Sequence, residues 1–316
     1  MCTAIRFNDR YFGRTLDFER SFGEGLVVTP REKMPLLEST NRYGMMGVGK
    51  LFGDTPLYFD GVNEWGLAAA ALNFPHYARY CSQLAEGTGV ASANLISHVL
   101  GLCRSVGEAR EMLKRVRVTD RSVGGMAATP LHWIFADGRE CLTVEAVESG
   151  LMLYDNPVGV LTNAPDFNYH LTRLADLSRL SARNPDTSLG GARPYSRGMG
   201  GIGLPGDFSS SSRFLRAAFL RECWSVGRQV DSATEISTAF SVLRNLEIPA
   251  GAVISEDNLP VGTIYTVLIN LCEPAYYITT AKNPAPRYLS LSDKLLSGGE
   301  IINYGIYGDD NFAPIK

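Results

Sequence analysis

A chain of 316 residues with 45% hydrophobic and 20% charged side chains has the composition of a compact protein with a large core, which excludes disordered and collagen-like classes. The length fits two average domains or one large α/β sandwich equally well. A formal charge of -3, with Lys and Arg dispersed along the chain, offers no basic field to nucleic acid.

No apolar run approaches the roughly 20 residues of a membrane span, and Arg6, Asp9, Arg10, Arg14, Asp17, Glu19 and Arg20 stand where a signal peptide would be apolar. The expected setting is the cytoplasm, with no membrane partner. Cys2, Cys81, Cys103, Cys141, Cys223 and Cys272 are scattered singly, so reduced and mostly buried thiols are expected rather than a disulfide framework. His76, His98, His132 and His170 share no ligand spacing, and no metal or cofactor is implied.

In chain order, residues 2–7 and 11–18 read as a hairpin turned at Asn8 and Asp9, which would return residues 14–17 toward Cys2. Residues 26–29, 57–60 and 67–73 are further strands, the last two separated by the turn-rich Gly61-Val62-Asn63-Glu64. Helical spacing follows over residues 90–102, and Ser105-x-x-Glu108 forms a capping box that opens a second helix through Val116. Residues 131–136, 141–147, 151–154 and 159–161 read as a meander, most simply a second sheet. Residues 166–180, 212–226 and 232–246 are predicted helices, the last with a capping pair at Ser232 and Glu235, and residues 263–272 and 275–280 return to strand. Blocks of strands and helices without βαβ alternation argue for two mainly antiparallel sheets between helical layers. Residues 183–212, rich in Gly, Ser, Pro and Arg, form either a mobile surface loop or an arm packed on a neighbouring subunit.

Cys2 carries the chemistry. Removal of Met1 would leave a thiol and a free α-amine on one residue, with reference pKa values of about 8.5 and about 7.7–8.0. Proton transfer between them is then uphill by only about 1 kcal/mol, and a guanidinium such as Arg14 would favour the thiolate further. A thiolate of this kind can attack an amide carbonyl while the ammonium returns its proton to the leaving amine, with no histidine. Asp17 is the candidate carboxylate for the ammonium. Read singly, Cys2 is equally an early strand residue, and Arg14 with Asp17 a surface pair of little energetic weight.

Together the motifs are more specific. Met1-Cys2-Thr3, Gly13-Arg14-Thr15-Leu16-Asp17-Phe18, Asp60-Gly61-Val62-Asn63-Glu64-Trp65-Gly66-Leu67, Leu72-Asn73-Phe74-Pro75, Leu161-Thr162-Asn163-Ala164-Pro165 and Gly203-Leu204-Pro205-Gly206-Asp207-Phe208 leading to Ser212-Arg213-Phe214 occur in one order between residues 2 and about 280. The chain thereby resembles the choloylglycine hydrolase family of N-terminal nucleophile (Ntn) hydrolases, which contains bile salt hydrolases and penicillin V acylases. The resemblance implies an α+β fold, a four-layer αββα sandwich in one domain spanning residues 1–316, with the loop at about 183–212 used in subunit assembly as a homotetramer.

It also implies a role for each site residue. Cys2 would be the nucleophile with its own amine as base, Arg14 would sit beside the thiol, and Asp17 would bind the ammonium. Asn73 and Asn163 would stabilise the oxyanion, and Arg213 would order the site; apart from the resemblance, an Arg at the start of a helix is poorly placed for the dipole and asks for a carboxylate partner. Leu72-Asn73-Phe74-Pro75 looks like the bile salt hydrolase version, since several penicillin V acylases carry Tyr at the position of Asn73. Conjugated bile salts are therefore the expected substrates, cleaved through a Cys2 thioester, ahead of penicillin V or N-acyl homoserine lactones. Retention of Met1 would instead fit a silent binder of amphipathic ligands. Leu16, Phe52, Phe59 and Met126 are candidate pocket walls or ordinary core. Arg197 is either a contact for the acidic end of a released glycine or taurine, favouring taurine, or a solvated loop tip.

Overall fold

The computed structural model describes residues 1–37, 39–82, 89–125, 127–186, 189–225 and 231–308. The opening hairpin forms as the sequence predicts, from strands Cys2–Phe7 and Tyr11–Phe18. Asn8 takes a positive φ of 40°, and its side-chain oxygen accepts from the Arg10 amide at 3.0 Å. Cys2 then faces Leu16, and Ala4 faces Arg14.

Sequence order and sheet order part company beyond the hairpin. Tyr11–Phe18 pairs not with its successor but with Pro260–Asn270, which continues to Ala275–Thr280 and Arg287–Ser290. The other edge of this seven-stranded sheet is Val160–Leu161, antiparallel to Cys2–Phe7. That strand leaves the meander predicted for residues 131–161, because its two residues find their ladder on Cys2–Phe7. The other meander strands, Leu131–Ala136, Cys141–Val147 and Gly150–Asp155, extend the first-third strands through Ala68–Asn73 into one nine-stranded sheet. They are not a second sheet of their own.

Residues 45–64 depart from the expectation in two places. Met45–Phe52 is a strand that alternation does not betray, and Asp60–Asn63 is a strand rather than the predicted turn. Glycine is required where these strands meet. A Cβ on Gly47 would lie 2.0 Å from the Asp60 carbonyl oxygen, and one on Gly49 would lie 2.4 Å from that of Leu57. Residues that read as turn formers are here spacers between crowded backbones.

Alternation then sorts the side chains into layers. Ala68, Ala70, Leu72, Ile134 and Ala136 join the core between the sheets with Ala4, Leu16 and Val267. Ala69, Ala71, Trp133 and Phe135 pack outward on helices Leu95–Leu102 and Val106–Leu113. The seven-stranded sheet is covered on its far side by Phe167–Ala175, Ser210–Ser225 and Ser232–Arg244. The result is the four-layer αββα sandwich.

Helix boundaries show where local signals hold. Ser105 caps Val106–Leu113 by accepting from the Glu108 amide at 3.2 Å. The predicted helix over residues 90–102 starts only at Leu95, after the short strand Val90–Ala91 and a turn of 3-10 helix. Asp231, not Ser232, caps Ser232–Arg244, its carboxylate accepting from the Thr234 amide at 3.0 Å. All six cysteines are free, but only Cys2, Cys103 and Cys141 are fully buried. No helix among the described residues is long and apolar enough to cross a membrane.

The crowding at Gly47 gives a direct check. Gly47→Ala is expected to destabilise the protein by about 1–3 kcal/mol, the cost of overpacking a rigid backbone contact. Gly206→Ala, with nothing within 4 Å of the added carbon, should stay within about 0.5 kcal/mol in the same urea titration.

Candidate active site around Cys2

Hairpin register alone places Arg14 near Cys2, and the side chains complete the contact. Arg14 Nη2 lies 3.2 Å from Cys2 Sγ and also donates to the Ala71 carbonyl at 3.1 Å. Its other arm, Nη1, donates to Asp60 Oδ2 at 2.6 Å and to the Tyr265 hydroxyl at 3.0 Å. The guanidinium is thus fixed at both ends and fully buried. Burial works against its charge, but the negative potential of Tyr265, Cys2 and Asp60 outweighs that and lifts its pKa above the ordinary arginine value.

Asp60 anchors this arrangement from the opposite sheet. Oδ2 accepts from Tyr265 at 2.5 Å as well as from Arg14, and Oδ1 accepts from the Tyr276 hydroxyl and the Val48 amide. Burial pushes its carboxyl above the usual carboxylate range, while Arg14 and Tyr265 pull it back. Sequence reasoning assigned Asp60 no role. The available signal was a lone acid entering the otherwise apolar strand pair around Gly61 and Val62.

Arg213 approaches from the helix Ser210–Ser225. Its Nη1 donates to the Cys2 carbonyl and, at 2.7 Å, to Thr3 Oγ1; Nη2 donates to Asn163 Oδ1 at 2.7 Å; Nε donates to the Phe208 carbonyl at 3.0 Å. The expected carboxylate partner is replaced by these neutral oxygens. Asp17 acts on Arg213 only as a nearby charge, partly offsetting the burial that lowers its pKa.

Asn163 ties the set together. Its Oδ1 accepts from the Cys2 backbone nitrogen at 2.9 Å and from Arg213, and its Nδ2 donates to the Asn73 carbonyl at 2.8 Å. Two donors on one side and an acceptor on the other fix the amide's orientation. Asn73 enters this network through its main chain.

Asp17 is fully buried beside the same strand end, Oδ1 accepting from Thr263 at 2.6 Å and Oδ2 from Thr15 at 3.2 Å. A bulge between Thr263 and Tyr265 serves both carboxylates, since Thr263 reaches Asp17 and Tyr265 reaches Asp60. With Met1 in place, the terminal amine donates to the Asp17 main-chain oxygen, and the Cys2 nitrogen turns to Asn163.

Of the six predicted catalytic positions, Cys2, Arg14, Asn163 and Arg213 are joined directly by side-chain contacts. Asp17 adjoins them, and Asn73 contributes a carbonyl. Among the pocket candidates, Leu16 is buried opposite Cys2, Phe59 meets Phe22 edge to face at 5.5 Å, and Phe52 is half-buried over Gly124. Met126 lies outside the described residues. Arg197 is exposed in the long loop, which holds short 3-10 turns at Leu189–Gly191 and Met199–Gly201.

A buried thiol beside the Arg14 guanidinium, on a residue whose backbone nitrogen meets the Asn163 amide and whose carbonyl meets Arg213, is an arrangement that can present sulfur to a carbonyl carbon. The family model for linear amide C-N hydrolases of the choloylglycine hydrolase family matches residues 2–304. The bile salt hydrolase/transferase of Lactiplantibacillus plantarum is 36% identical over the full length of both chains. The crystal structure of a cysteine-to-alanine mutant of the conjugated bile acid hydrolase from Clostridium perfringens superposes with a TM-score of 0.91, at 31% identity and full coverage of both chains. The penicillin V acylase of Agrobacterium tumefaciens shares the fold, with a TM-score of 0.76 at 22% identity over 96% of this chain and 90% of that one. The chain therefore belongs to the choloylglycine hydrolase family, and it is a hydrolase of linear amides with an Ntn-type αββα fold.

Proposed function

We propose that the protein hydrolyses the amide bond of glycine- or taurine-conjugated bile salts in the cytoplasm, with Cys2 as nucleophile. The observation that carries this is the Arg14 guanidinium 3.2 Å from Cys2 Sγ, held there by a buried carboxylate. Removal of Met1 converts the Cys2 amide nitrogen into an amine that takes the thiol proton. Arg14 and Arg213 stand near two buried carboxyl groups, Asp60 and Asp17, so the thiol and the freed amine would exchange their proton between oppositely charged neighbours.

The thiolate attacks the substrate carbonyl, and the oxyanion is stabilised by Asn163 Nδ2, with Asn73 contributing from the neighbouring strand. Each such donor is worth about 3 kcal/mol. The ammonium protonates the leaving nitrogen of glycine or taurine, and a thioester remains on Cys2. Water, deprotonated by the same amine, releases the bile acid and restores the thiol. Apolar side chains such as Leu16, Phe52, Phe59 and Met126 would receive the steroid, whose burial returns about 25 cal/mol per Å². The bile salt relatives, at 32–36% identity, favour this acyl group over penicillin V, whose acylase relative is 24% identical.

The loop carrying Arg197 is assigned to leaving-group contact and to assembly of a homotetramer. Its exposed Tyr195 and Ile202, 86% and 67% accessible, are the apolar side chains a neighbouring subunit would cover. Light scattering should give four chains, and a stable monomer would end that assignment.

Mature protein should cleave glycocholate and taurocholate faster than penicillin V, and Cys2→Ala should lower both bile salt rates by about 10⁴-fold or more. Undiminished activity in Cys2→Ala, or faster turnover of penicillin V, would overturn the mechanism or the substrate respectively. Arg197→Ala should lower the taurocholate-to-glycocholate turnover ratio by about two- to fivefold, the size of an exposed ion pair. An unchanged ratio removes Arg197 from the site.

A further inference from the structure

Behind Asn163 lies a buried polar cluster that the proposed mechanism does not use. His132 and Glu145 face each other across adjacent strands of the nine-stranded sheet, both fully buried. His132 Nδ1 lies 3.2 Å from Glu145 Oε1, and its Nε2 lies 2.9 Å from the Thr162 carbonyl. The carbonyl can only accept, so Nε2 carries a hydrogen. Nδ1 faces the carboxyl oxygen, so Glu145 backs the ring on the side away from the Thr162 carbonyl. The imidazole also stacks flat on Phe74 at 4.2 Å, which fixes its plane.

Glu145 Oε1 additionally accepts from the Phe167 amide at 3.0 Å, at the start of the helix Phe167–Ala175. Three residues on, His170 Nε2 donates to the Asn163 carbonyl at 2.9 Å. Burial pushes this imidazole down to about 4, so it serves as a neutral donor near pH 7. Ser210 Oγ closes the set, accepting from the Asn163 amide at 2.9 Å and donating to its carbonyl at 2.8 Å.

Every one of these bonds ends on the main chain of Thr162 and Asn163 or on a group that holds it. The cluster spans both sheets and two helices at the one point where the Asn163 side chain must meet Cys2. It is not an economical way to gain stability. Glu145 Oε2 and His170 Nδ1 are buried without partners, and such orphaned groups are destabilising.

We propose that His132 is a positioning residue for the amide hydrolysis. Backed by Glu145 and flanked by His170, it sets the height of the Thr162-Asn163 backbone so that the Asn163 amide meets both the Cys2 nitrogen and the developing oxyanion. This rests on the bile salt hydrolase reading for its kinetics, but not for its geometry. The Nε2 position of His132 is mimicked by a glutamine amide and not by leucine, which supplies the contrast.

His132→Leu is expected to lower kcat for glycocholate about tenfold per folded enzyme, with KM within about twofold, as a misplacement of less than 1 Å would do. His132→Gln should recover most of kcat. A kcat for His132→Leu within twofold of wild type, or a glutamine variant no better than leucine, overturns the assignment. Should His132→Leu not fold, Glu145→Gln replaces it. Glutamine keeps an acceptor for the Phe167 amide and removes the carboxylate behind the ring, so kcat falls if that backing positions His132 and holds if it does not. Crystal structures decide the geometry whatever the substrate proves to be: Asn163 Oδ1 should leave its 2.9 Å contact with the Cys2 nitrogen in His132→Leu and keep it in His132→Gln. Retention in both would refute the proposal even if bile salts are cleaved, and displacement would support it even if they are not.

Discussion

The ion pair between Arg14 and Asp60 is the contact on which the rest of the site depends. It crosses the interface between the two sheets at 2.6 Å with both side chains excluded from water. Two isolated charges there would be prohibitively costly, and even a pair recovers its desolvation only when the remaining lone pairs and protons are satisfied. Tyr265 and Tyr276 supply partners on the carboxylate side, and the Ala71 carbonyl and Cys2 sulfur do so for Arg14 Nη2, while Arg14 Nε stays buried without one. The sulfur is thereby one of the groups around the buried cation, so the contact that steadies Arg14 is also the one that fixes the position of the thiol.

The sandwich architecture serves this contact. Alternation on strands such as Ala68–Asn73 buries both faces of each sheet, and small residues let the layers approach closely. The site then sits at the end of the inter-sheet core, where Leu16 and Cys2 meet the strand ends that carry Asn73 and Asn163.

Much of this was legible in the sequence where local rules act alone. The hairpin, the Ser105 cap and the strands of residues 131–147 follow from turn chemistry, capping and period-two patterning. Cys2, Arg14 and Asp17 could be grouped because a hairpin fixes its own register. What stayed hidden was set by distant partners. The strand through Gly47 and Gly49 went unread because the backbones these glycines spare belong to other strands. Asp60 had no visible role because its partners Arg14, Tyr265 and Tyr276 come from the opposite sheet. His132 and Glu145 form a cross-strand pair, yet nothing local says that their purpose would be a carbonyl at residue 162.

The pairing of Tyr11–Phe18 with Pro260–Asn270 also governs timing. Arg14 and Tyr265 are separated by 251 residues, and Thr263 and Asp17 by 246, so the clamps that shape the thiol's surroundings are among the last parts made. Contacts of such long sequence separation form late and slowly. Until those partners arrive, Cys2 and Arg14 share only a hairpin, and Arg14 lacks both the carboxylate and the dry interface that hold it against the sulfur. The surroundings of the thiol are therefore complete only when the fold is.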